Sequence, residues 1–93
     1  MAHQDIHEVL YTESAAARRD RLDPVRRASF DKAIEILARD PYTELSQPIG
    51  AGEQDREIRL TSQIMAEYVV SRGRLLLVVL RIFDDADILL ADG

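Results

Sequence analysis

Two hydrophobic periods divide the chain. From Val25 onward, Phe30, Ala33, Ile34, Leu37 and Ala38 recur at helical spacing, with Ile36 flanking the stripe and Asp31, Lys32, Glu35 and Arg39 mostly opposite. Asp23-Pro24 marks the start. The aspartate accepts from an orphan amide of the first turn, and proline at the first helical position gives up an N–H that would have no partner. Asp40-Pro41 marks the end, because proline disfavours helical geometry in the residue before it. The pattern predicts an amphipathic helix of about sixteen residues.

Beyond Pro41 the helical period stops, and residues 41–55, with Pro48, Gly50 and Gly52, read as a loop. The period then becomes two. Glu57 to Thr61 places Ile58 and Leu60 on one face. Ile64 to Val70 places Ile64, Ala66, Tyr68 and Val70 on one face, with Met65, Glu67 and Val69 on the other. Ser71-Arg72-Gly73-Arg74 reads as a hairpin connection in which Gly73 supplies positive φ. Leu75 to Phe83 is apolar nearly throughout, as expected of a central strand covered on part of both faces. Asp84, Asp85 and Asp87 close it, and Ile88-Leu89-Leu90 forms a small apolar patch beyond.

Upstream, Ile6 to Tyr11 reads as a first strand. Thr12 or Ser14 caps a short helix over Ser14 to Leu22, whose thin apolar face, Ala15 to Ala17, needs a partner. The expected fold is α+β in one domain over residues 1–93, in the order β-α-α-β-β-β. A helical hairpin packs on an antiparallel sheet of about three or four strands.

Composition narrows the function classes. Hydrophobic residues at 46% and charged residues at 31% are ordinary for a globular domain. The longest apolar run, Leu75 to Leu80, is far short of the ~20 residues of a membrane helix, and no basic-then-apolar leader opens the chain. A cytoplasmic protein without membrane contact is expected. The absence of cysteine removes disulfides, thiolate nucleophiles and thiolate metal sites. Twelve basic residues against 17 acidic ones leave a net charge of −5, so strong direct nucleic-acid binding is not expected. Eleven of the twelve are arginine, which base composition of the gene explains as readily as bidentate anion recognition.

The element order, with a helical hairpin after the first strand, resembles the RelE/ParE superfamily of bacterial toxins, and short motifs carry the resemblance further. Ile36-Leu37-Ala38-Arg39-Asp40-Pro41 resembles the family's helix exit, and Arg56-Glu57-Ile58 the opening of its second strand. Glu67-Tyr68-Val69-Val70 followed by a turn and Leu75 to Leu80 resembles its tyrosine-x-valine hairpin. Leu80-Arg81-Ile82-Phe83 is similar to the ParE-type ending. The match covers about Ile6 to Asp87.

The departures bear on chemistry. An arginine commonly stands three residues before the strand tyrosine, where this chain has Met65, and ParE-like members usually have histidine where it has Asp84. The basic residues and late aromatic of the mRNA-cleaving RelE type are replaced by Asp84, Asp85, Ala86 and Asp87. The resemblance therefore implies a toxin-like component of a type II toxin–antitoxin system, associated with plasmid stabilisation, that binds a target protein such as DNA gyrase. A cognate antitoxin would neutralise it. A RelE-like ribosome-dependent mRNA endonuclease and a decayed, non-toxic member are the alternatives, and a homodimer is compatible with all three.

Metal-free RNA cleavage needs a base, an acid and cations for the phosphorane. Arg59 and Arg81 supply the cations if their strands adjoin, with Arg56 or Arg74 nearby; Tyr68, Glu57 or Glu67 would supply acid or base. The plainer expectation pairs Arg81 with Asp84 or Asp85 and leaves Tyr68 as a half-buried core aromatic. Arg81, Phe83, Arg59 and Tyr68 are the candidate contacts for target or antitoxin. Arg18, Arg19, Arg21, Arg26 and Arg27 form a basic patch around the helix–helix turn. They read either as a solvated face balanced by Asp20, Asp23 and Asp31 or as a docking surface for an acidic antitoxin helix. The resemblance adds the hairpin edge and Ile88 to Leu90 to that surface. His3 and His7 with Asp5 and Glu8 make a poor metal set on a strand, and Gly50-Ala51-Gly52 lacks the context of a phosphate loop. No metal and no cofactor are expected.

Overall fold

The computed structural model describes residues 6–50, 54–71 and 73–84. The elements are β1 (Glu8–Tyr11), α1 (Glu13–Asp20), α2 (Pro24–Arg39), β2 (Ser46–Pro48), β3 (Asp55–Arg59), β4 (Ile64–Ser71) and β5 (Leu76–Asp84). They form one five-stranded sheet in the order β1-β5-β4-β3-β2, with both helices on one face. β2, β3, β4 and β5 pair antiparallel in turn, whereas β1 runs parallel to β5. The expected sheet of three or four antiparallel strands is thus corrected to five strands with a parallel edge. Strand periodicity identifies strands but not their neighbours, and a parallel pair is joined by a long crossover. Here everything between β1 and β5 is that crossover.

The second correction is β2, which lies inside the segment expected to be loop. Ser46-Gln47-Pro48 has no apolar alternation, and its proline suits an edge strand because no ladder amide is demanded there. It is held instead from beneath. The buried Arg56 guanidinium donates from Nε to Ser46 Oγ at 2.8 Å and from Nη2 to the Ser46 carbonyl at 3.3 Å. It also lies 5.4 Å from the Tyr42 ring centroid.

The long helix is as its caps dictate. Asp23 accepts from the Arg26 amide at 2.9 Å, Pro24 opens the first turn, and the helix ends at Arg39. Its buried face is Phe30, Ile34, Leu37 and Ala38, and the first three share one core with Ile58, Ala66, Tyr68, Leu77 and Val79 of the sheet. The short helix begins after Thr12, not Ser14: the Thr12 hydroxyl accepts from the Ala15 amide at 3.1 Å. Its far end is closed from α2, where Arg27 Nη2 donates to the carbonyls of Asp20 at 2.6 Å and Leu22 at 3.2 Å. A cation there also complements the negative end of the helix dipole.

On β4, Ile64, Ala66, Tyr68 and Val70 face the helices and the intervening residues face away, as the alternation predicts. In the turn before β5, the left-handed residue is Leu75, with φ of 52°, and Gly73 does not take positive φ. The Glu8 amide donates to the Leu75 carbonyl at 2.8 Å, so pairing of β1 holds that backbone. The strand β5 carries a bulge. Glu67 lies opposite Arg81 but Tyr68 opposite Val79, leaving Leu80 as the extra residue.

Candidate functional site: the open face of the sheet

The bulge decides what the uncovered face of the sheet presents. Before it, Leu77 and Val79 point to the helices; after it, Ile82 and Asp84 do. Arg81 and Phe83 therefore point outward, where an unbroken alternation from Val79 would turn Arg81 into the core. No described element covers this face. Across it, Glu57 of β3, Glu67 of β4 and Arg81 of β5 stand in one cross-strand row, and Arg59, Met65 and Phe83 in the next. Half-buried Val69, Leu76, Val78 and Leu80 continue the surface toward the exposed Leu10 of β1.

The charges on this face are partly matched. Arg81 Nε lies 3.8 Å from Glu67 Oε1, on a side chain that is 70% exposed. Gln47 Nε2 donates to Glu57 Oε1 at 2.6 Å, and Arg59 Nη1 to the Ser62 carbonyl at 3.1 Å. Arg59 and Arg81 are separated by β4, so the condition that their strands adjoin is not met. Arg81 faces Glu67 instead of Asp84, whose carboxylate is buried and pairs with Arg26. Asp85 lies outside the described residues.

Tyr68 does not reach this surface. It is fully buried on the helix side, and its hydroxyl donates to the Pro41 carbonyl at 2.5 Å. Desolvation pushes its pKa above the usual 10.0, against the opposing effect of nearby Ser46 and Arg56. Both its candidacy as acid or base and its candidacy as a target contact are corrected on that ground, and it is more deeply buried than the half-buried aromatic expected. Arg56 is likewise on the covered face, committed to Ser46.

The basic patch around the helix turn is largely turned inward. Arg19 grips Asp31 with two bonds, Nε to Oδ1 at 2.8 Å and Nη2 to Oδ2 at 2.7 Å, and its guanidinium lies 5.9 Å from the Tyr11 ring centroid. The hydrogen bond to Asp31 raises the Arg19 pKa. Arg26 joins Asp84 to the first turn of α2, and Arg27 closes α1. Arg18 lies in the last turn of α1. His7 Nδ1 is 3.2 Å from the Ala38 carbonyl; His3, Asp5, Ala51, Gly52 and Ile88 to Leu90 lie outside the described residues. The sequence named Thr12 as a helix cap, but missed the bulge, the Thr12 bond to β5 and the support of β2 by Arg56. Each rests on contacts distant in sequence, with no local signal.

A separate open groove of about 190 Å³ runs between α2 and β3. Ala33, Ile36, Leu37, Leu45, Ile58 and Leu60 line it, with Asp40 and Arg59 also present.

No family sequence model and no curated protein matches the chain. Solved structures do match. The chain is similar to a chain of the toxin–antitoxin complex RelBE2 from Mycobacterium tuberculosis, at 20% identity and a TM-score of 0.73, covering 86% of this chain and 99% of that one. It is similar to the isolated E. coli RelE toxin at 14% identity and a TM-score of 0.73, covering 96% and 100%. It is also similar to the YoeB/ParE toxin from Agrobacterium tumefaciens at 21% identity and a TM-score of 0.66, covering 83% and 96%. A helical hairpin on one face of a sheet whose other face no described element covers, matched over nearly the whole length of these chains, is the RelE/ParE toxin fold, and this chain has it.

Proposed function

We propose that this chain is the toxin-like component of a bacterial type II toxin–antitoxin pair. It acts by binding a target protein through the open face of its sheet, with DNA gyrase as the target class that the ParE-type resemblance implies, and a cognate antitoxin neutralises it. The observation that carries this reading is the composition of that face. Phe83, Met65, Leu80, Val78 and Leu10 lie among Arg59, Arg81, Glu8, Glu57 and Glu67, an apolar surface crossed by a row of both signs of charge. Such a surface suits a protein partner. A phosphate backbone would meet three carboxylates against two guanidiniums.

The endonuclease reading has one observation in its favour. Glu57 and Glu67 are direct cross-strand partners, with Arg59 and Arg81 on flanking strands of the same face. Two carboxylates thus share a face with the two guanidiniums, although β4 parts the arginines and the tyrosine is buried elsewhere.

Tightly controlled induction of the chain in bacteria, beside Arg81→Ala, Phe83→Ala and Arg59→Ala, tests both. The expected outcome is growth arrest by the parent, relieved by Arg81→Ala and Phe83→Ala, with inhibited supercoiling and intact mRNA. Transcript ends inside codons on translating ribosomes would transfer the reading to the endonuclease. Normal growth with folded protein would leave the non-toxic member.

A further inference from the structure

The run Leu75 to Leu80 is apolar at every position, so its polarity does not say which residue of β5 is the extra one. Something outside the strand must fix the bulge, and the fold provides it at the junction of β1 and α1. In a regular strand, successive carbonyls point to opposite edges; a bulge turns two of them to the same edge. On β5 these are Val79 and Leu80, and one residue meets both. The Thr12 amide donates to the Val79 carbonyl at 3.0 Å, and the Thr12 hydroxyl donates to the Leu80 carbonyl at 2.7 Å. The same hydroxyl oxygen accepts from the Ala15 amide at 3.1 Å.

We infer that Thr12 is a positioning residue for the open face: its hydroxyl pins the bulge at Leu80 and so aims Arg81, the next residue, at whatever the face binds. The far end of the segment is held independently, by Arg26 on the buried Asp84 carboxylate. Between these two anchors Arg81 and Phe83 project as a fixed pair. The inference rests on the reading that the open face is the working face, but the pinning itself is measurable without it.

The variants separate the two tasks of the hydroxyl. Thr12→Ser keeps both. Thr12→Asp keeps the helix cap, since a carboxylate accepts from the Ala15 amide at least as well, but ionised it has no proton for the Leu80 carbonyl. Amide hydrogen exchange should accelerate about fivefold or more at Leu80, Arg81 and Ile82 in Thr12→Asp, the equilibrium factor of one hydrogen bond. Amides of α1 should keep parental rates, and Thr12→Ser should match the parent throughout. Unchanged exchange at Leu80 to Ile82, or equal acceleration through α1, would overturn the pinning. If Thr12→Asp does not fold, the isosteric Thr12→Val is measured, with unchanged exchange at the bulge again the refuting result.

In the induction assay Thr12→Asp should lose arrest while Thr12→Ser retains it. Accelerated exchange with full arrest would overturn the aiming role. A parent that causes no arrest would refute the working-face reading alone, since the exchange data still decide the pin.

Discussion

Tyr68 shows how far a residue type can mislead when its face is known but its depth is not. Alternation placed it correctly with Ile64, Ala66 and Val70, yet the tyrosine of the family motif suggested a contact or a catalytic group. The structure seals it against α2 with its hydroxyl on the Pro41 carbonyl. Removing that hydroxyl leaves a buried acceptor, so Tyr68→Phe should cost about 1–2 kcal/mol in denaturant unfolding without relieving growth arrest. The raised pKa gives a second test. A tyrosine whose folded pKa lies above its unfolded value of 10.0 contributes stability that is complete below pH 10 and is lost as pH rises through the folded pKa. The denaturation midpoint should therefore drop as pH rises above 10 in the parent, and drop less in Tyr68→Phe. A residual slope is expected in that variant because burial raises the Tyr11 pKa as well.

At the scale of elements, legibility followed the locality of the signal. The helix α2 was readable almost to the residue because Asp23-Pro24 and Asp40-Pro41 are start and stop chemistry written in adjacent positions. The strand β4 was readable because burial on one face leaves a period of two. The strand β2 was not, since a three-residue edge containing proline has neither apolar alternation nor length, and its support comes from the guanidinium of β3. That dependence predicts a local phenotype. Arg56→Leu should leave α2 and the β4–β5 hairpin intact while amides of Gln47 and Ile49 lose protection. The global cost should be about 2–3 kcal/mol, as for hydrogen bonds to a charged group. Exchange measured by mass spectrometry on the segment 42–50 checks it; protection unchanged there would mean that β2 stands without its arginine.

For the whole molecule, charge and topology point the same way. A net charge of −5 and an open face with both signs of charge oppose counterion-release binding, the main source of non-specific affinity for nucleic acid. Fluorescence anisotropy with a short single-stranded RNA should show a Kd weaker than about 100 μM at physiological salt. Micromolar binding that falls steeply with added salt would instead favour the endonuclease. Of the candidate site, Arg59, Arg81 and Phe83 could be proposed from the chain, but the surface they share could not. It depends on strand order, which puts β4 between the two arginines, and on a bulge whose place is set from 68 residues away.

That strand order has a consequence in time. Among the described strands β1 is made first, and the one it pairs with, β5, is made last. The β5 ladder also joins β1 to the rest of the sheet, so a nascent chain lacking Leu76–Asp84 has helices without the central strand they pack against. The open face has no Arg81 or Phe83 until that strand is made. The open face is therefore completed in one step, when the last of the described strands joins the sheet.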